Sequence, residues 1–194
     1  MALSPHTDDV ELACGGTLAK WVESGYNIIV VAFSATHERE KLSTEFKNAL
    51  QVLSIKQFKI YKYKTRYFFK DRQKILEDMV KLERQYKPDI VLCPNSEDTH
   101  QDHAVIREEA FRAFKKHSIL GYDSLQNSKS FQADLFVTLE DQHIDSKIRA
   151  IQCYESQRNR IYVDKEIIRG ACRLRGAQIG KPLAEAFEVI RMVL

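Results

Sequence analysis

The 194-residue chain lacks several features, and each absence narrows what it can be. It has no Cys-x-x-Cys pair. Its cysteines stand at 14, 93, 153 and 172, too sparse for a disulfide scaffold and too scattered for a structural zinc knuckle. They read as reduced core or near-site thiols of a cytoplasmic protein. No apolar run approaches the ~20 residues of a membrane span. No leader of the secretory type is visible, since the chain runs straight into an acidic loop. The first motif begins as early as Ser4, so the first strand is short and a trimmed natural start is expected. Neither charge predominates: 30 Lys and Arg face 27 Asp and Glu, for a net +3, which does not argue for nucleic acid. There is no repeat, low-complexity tract or linker. With 44% hydrophobic and 29% charged residues the chain reads as one globular domain over 1–194, long enough for a real core.

What is present alternates short apolar strands with amphipathic helices. Strands are expected at Met1–Ser4, Asn27–Ser34, Gln57–Tyr61, Asp89–Cys93 and Ala133–Thr138, and the Ile28–Phe33 run suits a parallel strand covered on both faces. Helices are expected over 9–24, 44–53, 71–86, 100–116, 146–154 and 161–175. Gly25 stands where the first helix needs a C-terminal cap, and Pro88 ends the third. Residues 121–132 read as a loop. The pattern predicts an α/β, Rossmann-like three-layer sandwich with a mostly parallel sheet in the order 3-2-1-4-5. Tyr61–Arg66 interleaves aromatic and basic residues. Such a stretch can touch a phosphate or a nucleic acid strand; we read it as an edge strand or loop whose lysines face water.

Chemistry concentrates in two loops. Ser4-Pro5-His6-Thr7-Asp8-Asp9-Val10-Glu11 leads into Gly15-Gly16-Thr17. His6 and Asp9 offer one nitrogen and one oxygen ligand from a tight turn, a way to begin a catalytic zinc or similar divalent site. Asp8 is then left free as a base. The bland alternative is a solvated turn with Asp8 or Asp9 capping the helix. His100-Gln101-Asp102-His103 follows the fourth strand; read singly, it too could be a helix start with Asp102 as cap. In an open α/β sheet, ligands sit beyond the carboxyl ends of strands where the order reverses. With the order 3-2-1-4 the two loops meet there. A dinucleotide is ranked low, because Asp8 and Asp9 in the first turn repel phosphate. Gly15-Gly16 lies inside the helix, where it permits close packing.

With both loops in hand, the chain resembles the LmbE/PIG-L family of metal-dependent amide deacetylases. Besides the first loop, the resemblance rests on Lys87-Pro88-Asp89-Ile90-Val91 leading to His100–His103, on Lys147 to Gln157 with Tyr154-Glu155-Ser156-Gln157, and on Arg175-Gly176 through Ala184-Glu185-Ala186-Phe187. It implies that His6, Asp9 and His103 hold Zn2+, with iron or cobalt able to replace it. It implies that Asp8 is the general base, that His100 stabilises the oxyanion or helps as acid, and that Asp102 orients and charges its neighbours. The implied substrate is a small N-acetylated sugar or sugar conjugate, cleaved to acetate and a free amine. Self-association is left open.

The sequence departs from the family at Leu42, which stands where an arginine often precedes Glu45, at Asp98, a tyrosine in some members, and at Leu183, often tyrosine. These departures concern sugar contacts. The rival functions are a metal-dependent phosphoesterase, which would want a second metal, and a non-catalytic glycan-binding relative, which would be expected to have lost Asp8 or a ligand. His37 is weighed as a substrate contact against a surface residue, and His117 and His143 are read as surface residues. Glu11 reads as a helix-start or supporting acid. Ser156, Gln157 and Arg175 either line the pocket or pin the last helices, with Arg160 and Arg173 weaker candidates. Glu185 is expected as a buried partner for an arginine.

Overall fold

A computed structural model of the chain describes residues 1–35 and 39–193; His37 lies outside them. Strands β1 (Ala2–Ser4), β2 (Ile29–Ala32), β3 (Gln57–Ile60), β4 (Ile90–Pro94) and β5 (Ser118–Tyr122) pair in parallel. Strand β7 (Ala184–Arg191) runs antiparallel to both β5 and β6 (Leu135–Thr138). The sheet order is β3-β2-β1-β4-β5-β7-β6. Strands β1 and β2 are buried along their whole length, as expected of apolar strands covered on both faces.

Helices α1 (Asp9–Glu23), α2 (Arg39–Val52) and α5 (Asp141–Gln152) pack together on one face. There Val10, Leu18, Phe46, Leu50, Ala150 and Tyr154 close a core with Val30, Leu92 and Phe187. Helices α3 (Arg72–Tyr86) and α4 (Gln101–Ala113) cover the other, burying Ile75, Met79, Leu82, Ile106 and Ala110 against Leu3, Val31 and Val91. Helix α6 (Lys165–Gln178) lies against β7. Helix boundaries follow local chemistry. Helix α1 stops at Gly25, whose φ of +83° needs a residue without Cβ. Helix α3 stops at Lys87 in the left-handed region, held there because Pro88 cannot continue the helix.

The sheet order opens 3-2-1-4-5 as expected, and the strand expected at 133–138 exists as β6. It lies at the sheet edge, however, and the fifth place belongs to Ser118–Tyr122. Only its last two residues fall in the expected loop, and 118–120 carry no expected element, because the apolar run is short and interrupted by Gly121. Strand β7 escapes a pattern reading because Ala-Glu-Ala favours helix; its pairing with two strands overrides propensity. Helix α5 begins at Asp141 rather than 146. Its capping box is Glu140 with His143, not the Ser/Thr with Glu that the usual pattern seeks. His143 is therefore not a surface residue. It is 4% exposed, accepts the Glu140 N–H at Nδ1 (3.0 Å) and sets Nε2 against Glu23 (2.6 Å).

Helix α1 is broken at Cys14 (φ −137°, ψ 24°). The groups freed by the break are satisfied by a buried ion pair. Glu185 accepts the N–H of Gly16 (3.1 Å) and of Thr17 (2.6 Å). Lys147 donates to the Ala13 carbonyl (3.2 Å) and to Glu185 (2.6 Å). A Cβ on Gly16 would fall 2.7 Å from Leu139 Cδ1 and 3.1 Å from Glu185 Oε1. The glycine pair thus serves close packing, as expected. The partner of Glu185 is a lysine rather than the expected arginine.

Candidate metal centre and active site

The first loop leaves β1 and the second leaves β4, and these strands are neighbours. Both loops end in helices whose first turns carry the polar residues. In the first, the Asp9 carboxylate turns back to accept the His6 N–H (2.7 Å). In the second, the His100 ring caps α4 by accepting the Asp102 N–H at Nδ1 (3.1 Å). The bland alternative, with Asp102 as the cap of this helix, does not hold: its carboxylate points inward and is fully buried.

His6, Asp9 and His103 come together. His6 Nδ1 lies 3.2 Å from Asp9 Oδ2, His103 Nε2 lies 3.3 Å from the same oxygen, and the two nitrogens are 3.4 Å apart. Ligands at about 2.0–2.1 Å around a tetrahedral first-row dication stand roughly 3.3 Å from one another. The triangle therefore already has the spacing of one face of such a site. Each histidine also has its second nitrogen held by a carboxylate, the usual support of a ligating imidazole. His6 Nε2 faces Asp102 Oδ2 at 3.2 Å, and His103 Nδ1 faces Asp98 Oδ2 at 2.7 Å. A second grouping, His6 with His100 and Asp102, is less suited to an ion. Asp102 already accepts the N–H of Arg66 (2.5 Å) and of Phe68 (3.3 Å).

Electrostatics agree with the geometry. Burial works against charge on both histidines, but the carboxylates outweigh it. Asp9 and Asp102 raise the His6 pKa to about 10, and Asp9 and Asp98 raise that of His103 to about 9. Burial resists ionisation of Asp9 too, yet His103 and His6 hold its pKa well below the usual range. The cluster draws in positive charge, which a bound dication supplies equally well.

Asp8 sits beside this triangle, partly exposed, and its side chain does not cap α1. Burial and the adjacent Asp9 charge raise its pKa to about 6. His100 is pushed the other way, to about 4, by burial and by neighbouring His103 and His6. Its Nδ1 must accept a backbone N–H, so Nε2 carries the proton of a neutral ring. His100 thus offers a neutral donor rather than an imidazolium. Behind the first loop, Tyr154 donates to the Thr7 carbonyl and sits 3.1 Å from Glu11 Oε1. Glu11 is fully buried, and burial pushes its pKa up to about 8.

Two residues near the site were not singled out for these roles by sequence. Asp98 looked like a departure; it orients His103 and also accepts the His100 N–H (3.0 Å). Tyr162 shares a cleft with Asp9, Leu12, Asp123 and Gln126, and nothing in its local sequence marks it. Other candidates are structural. Ser156 bonds Glu45 through both N–H (3.1 Å) and hydroxyl (2.6 Å). Arg175 pairs with Asp123 at 2.7 Å and lies over the Phe131 ring. His117 is half-buried against Glu83 (3.0 Å). Arg160 and Arg173 are exposed. All four cysteines are free, and all but Cys153 are buried. Among the described residues, no helix is long and apolar enough to cross a membrane.

A doubly wound sandwich with a His–Asp–His triangle and a spare carboxylate at its switch point defines a class of metal-competent α/β enzymes. The comparisons narrow the class. Residues 1–114 match the model of the PIG-L family, described as GlcNAc-PI de-N-acetylase, and the chain belongs to that family. It is 27% identical over 168 residues to the uncharacterized deacetylase YaiS of Escherichia coli strain K12, covering 80% of this chain and 90% of that protein. Its fold is that of N,N'-diacetylchitobiose deacetylase from Pyrococcus horikoshii, with a TM-score of 0.82 at 21% identity, over 97% of this chain and 82% of that one. The 4-carboxy-2-hydroxymuconate hydratase GalB of a Pseudomonas strain is also similar, with a TM-score of 0.83 at 18% identity, over 100% and 96% of the two chains. The fold alone therefore does not select the reaction.

Proposed function

We propose that this protein hydrolyses the N-acetyl amide of an amino sugar or sugar conjugate, releasing acetate and a free amine, within a single domain over 1–194 and in the cytoplasm. The observation that carries the reading is the pairing of a His6–Asp9–His103 triangle at ion-binding spacing with an unliganded carboxylate, Asp8, of raised pKa. Family membership and the named activities of YaiS and the chitobiose deacetylase support the same reaction class.

His6, Asp9 and His103 would hold zinc or a similar dication. Such an ion supplies acidity to water and polarises a carbonyl. Asp102 and Asp98 keep the two imidazoles turned toward the third ligand. Asp8 removes a proton from the attacking water and delivers it to the departing nitrogen; a pKa near the working pH suits both tasks. His100 donates from Nε2 to the developing oxyanion, a fixed donor where charge appears. A phosphoesterase would want a second metal, and the alternative grouping for one shares His6 and an already committed Asp102. Retention of all of these residues speaks against a purely glycan-binding role.

The test is acetate and free-amine release from a panel of N-acetylated sugars by zinc-loaded protein. Asp8→Asn should retain bound metal and lose turnover by about two to four orders of magnitude, the usual scale of acid–base catalysis. Undiminished acetate release from that variant would refute the assigned base.

A further inference from the structure

The loop that holds Asp102 belongs to the most cationic stretch of the chain. Residues 59–74 contain seven Lys or Arg and a single acid, Asp71. Arg72 is taken up by Glu108 and Glu109. Lys64, Arg66 and Lys70 are exposed and form no ion pair among the described residues. The two lysines are nevertheless gathered. The Lys64 ammonium lies 4.2 Å from the centroid of the Tyr67 ring, and the Lys70 ammonium lies 5.1 Å from the same centroid and 5.8 Å from that of Phe69. Tyr67 and Phe69 are stacked on each other, 6.2 Å apart, and both are exposed. Lysines that only faced solvent would spread apart, because like charges repel and free rotamers cost nothing. Here two of them share one aromatic ring without a carboxylate between them.

Arg66 adds an independent sign. Its φ is +70°, a left-handed conformation that strains a residue with a Cβ and that glycine would adopt freely. The strain turns the Arg66 N–H into the Asp102 carboxylate, and the Phe68 N–H binds its other oxygen. The Phe68 ring lies 6.0 Å from that of His6. The cationic rim is thus joined by backbone hydrogen bonds to Asp102, the carboxylate that faces His6.

We propose that Lys64 and Lys70, held beside the site by the Arg66 backbone, form a subsite for a phosphate ester carried by the amino-sugar substrate. A dianion matches two ordered cations with no carboxylate partner among the described residues, and their place beside the site suits a substituent on the sugar being deacetylated. This rests on the deacetylase reading for its sugar, though not for its anion. The aromatic rings hold the ammonium groups and thereby lower the ordering cost of binding.

Binding is measured without turnover, by calorimetry of zinc-loaded protein with glucosamine 1-phosphate, glucosamine and inorganic phosphate. The phosphorylated sugar should bind about tenfold more tightly than glucosamine, the effect of two exposed charge pairs within their usual range. Lys64→Ala/Lys70→Ala should abolish that difference, and ~0.5 M sodium chloride should shrink it. Lys115→Ala/Lys116→Ala, beyond the far end of the sheet, removes the same charge and should leave it intact. In turnover, N-acetylglucosamine 1-phosphate should show a KM about tenfold below that of N-acetylglucosamine, with kcat alike, and only the first double variant should erase the gap. Equal binding of the two sugars, or an unchanged preference in Lys64→Ala/Lys70→Ala, overturns the subsite. Inorganic phosphate binding as tightly as the ester overturns the sugar conjugate as its ligand. Failure to release acetate from any sugar, with the calorimetric preference intact, would instead overturn the deacetylase reading and leave the subsite standing.

Discussion

The buried pair Lys147–Glu185 gives the sharpest energetic prediction. Both residues are 4% exposed, and their side chains meet at 2.6 Å. Burial works against charge on Lys147, but the Glu185 carboxylate more than offsets it and the lysine pKa is raised. In Lys147→Met the apolar stem is replaced and the ammonium is lost. Glu185 then keeps the Gly16 and Thr17 amides but stands as an uncompensated buried charge, and the Ala13 carbonyl loses its donor. Breaking a buried pair from one side costs about 3–5 kcal/mol. With a urea m-value of ~3 kcal/mol/M, the unfolding midpoint should fall by about 1–2 M. In Lys147→Met/Glu185→Gln no charge is left unpaired, and the amide oxygen introduced by Glu185→Gln can still accept from the α1 break. The double variant should therefore be clearly more stable than the sum of the two single losses implies, with a coupling of about 1–3 kcal/mol. Urea unfolding followed by circular dichroism measures all four proteins. A loss below ~1 kcal/mol in Lys147→Met, or strict additivity in the double variant, would show that the break at Cys14 does not depend on this pair.

Two other variants probe the parts of the site that support the ligands. Asp98→Asn should weaken zinc affinity about 10- to 100-fold, read by competition with a chelating dye, while the fold is retained; unchanged affinity would remove Asp98 from the metal site. Tyr154→Phe withdraws the hydrogen bond to the Thr7 carbonyl and should cost about 1–3 kcal/mol of stability by leaving that carbonyl unsatisfied. A thermal or urea midpoint equal to the parent's would mean the first loop does not lean on the turn that follows α5.

The legible parts of the molecule are those whose chemistry demands a residue type. Histidine and aspartate in two loops at strand ends had few alternative explanations once both were seen, and β1 and β4 do lie side by side. The apolar strands of the parallel half were visible because burial on both faces leaves a continuous run. Strand β7 was not, since its Ala and Glu residues gain their place from pairing partners and from Lys147, which is remote in sequence. The early start of α5 was hidden for a related reason: Glu140 and His143 form a box that only the folded geometry reveals.

Asp98 shows where such reading stops. Compared with a motif it is a missing tyrosine; in the fold it completes the second imidazole's support. Its position follows from the turn before α4, where its own Oδ1 accepts the His100 N–H while His100 caps the helix behind it. One turn thus sets the carboxylate that orients His103, the tautomer of His100 and the inward aim of Asp102. A ligand is chosen for the atom it presents and is visible as a letter. The carboxylate behind it is chosen for where the chain puts it, so the same letter reads as a defect in a linear comparison and as a supporting group in three dimensions.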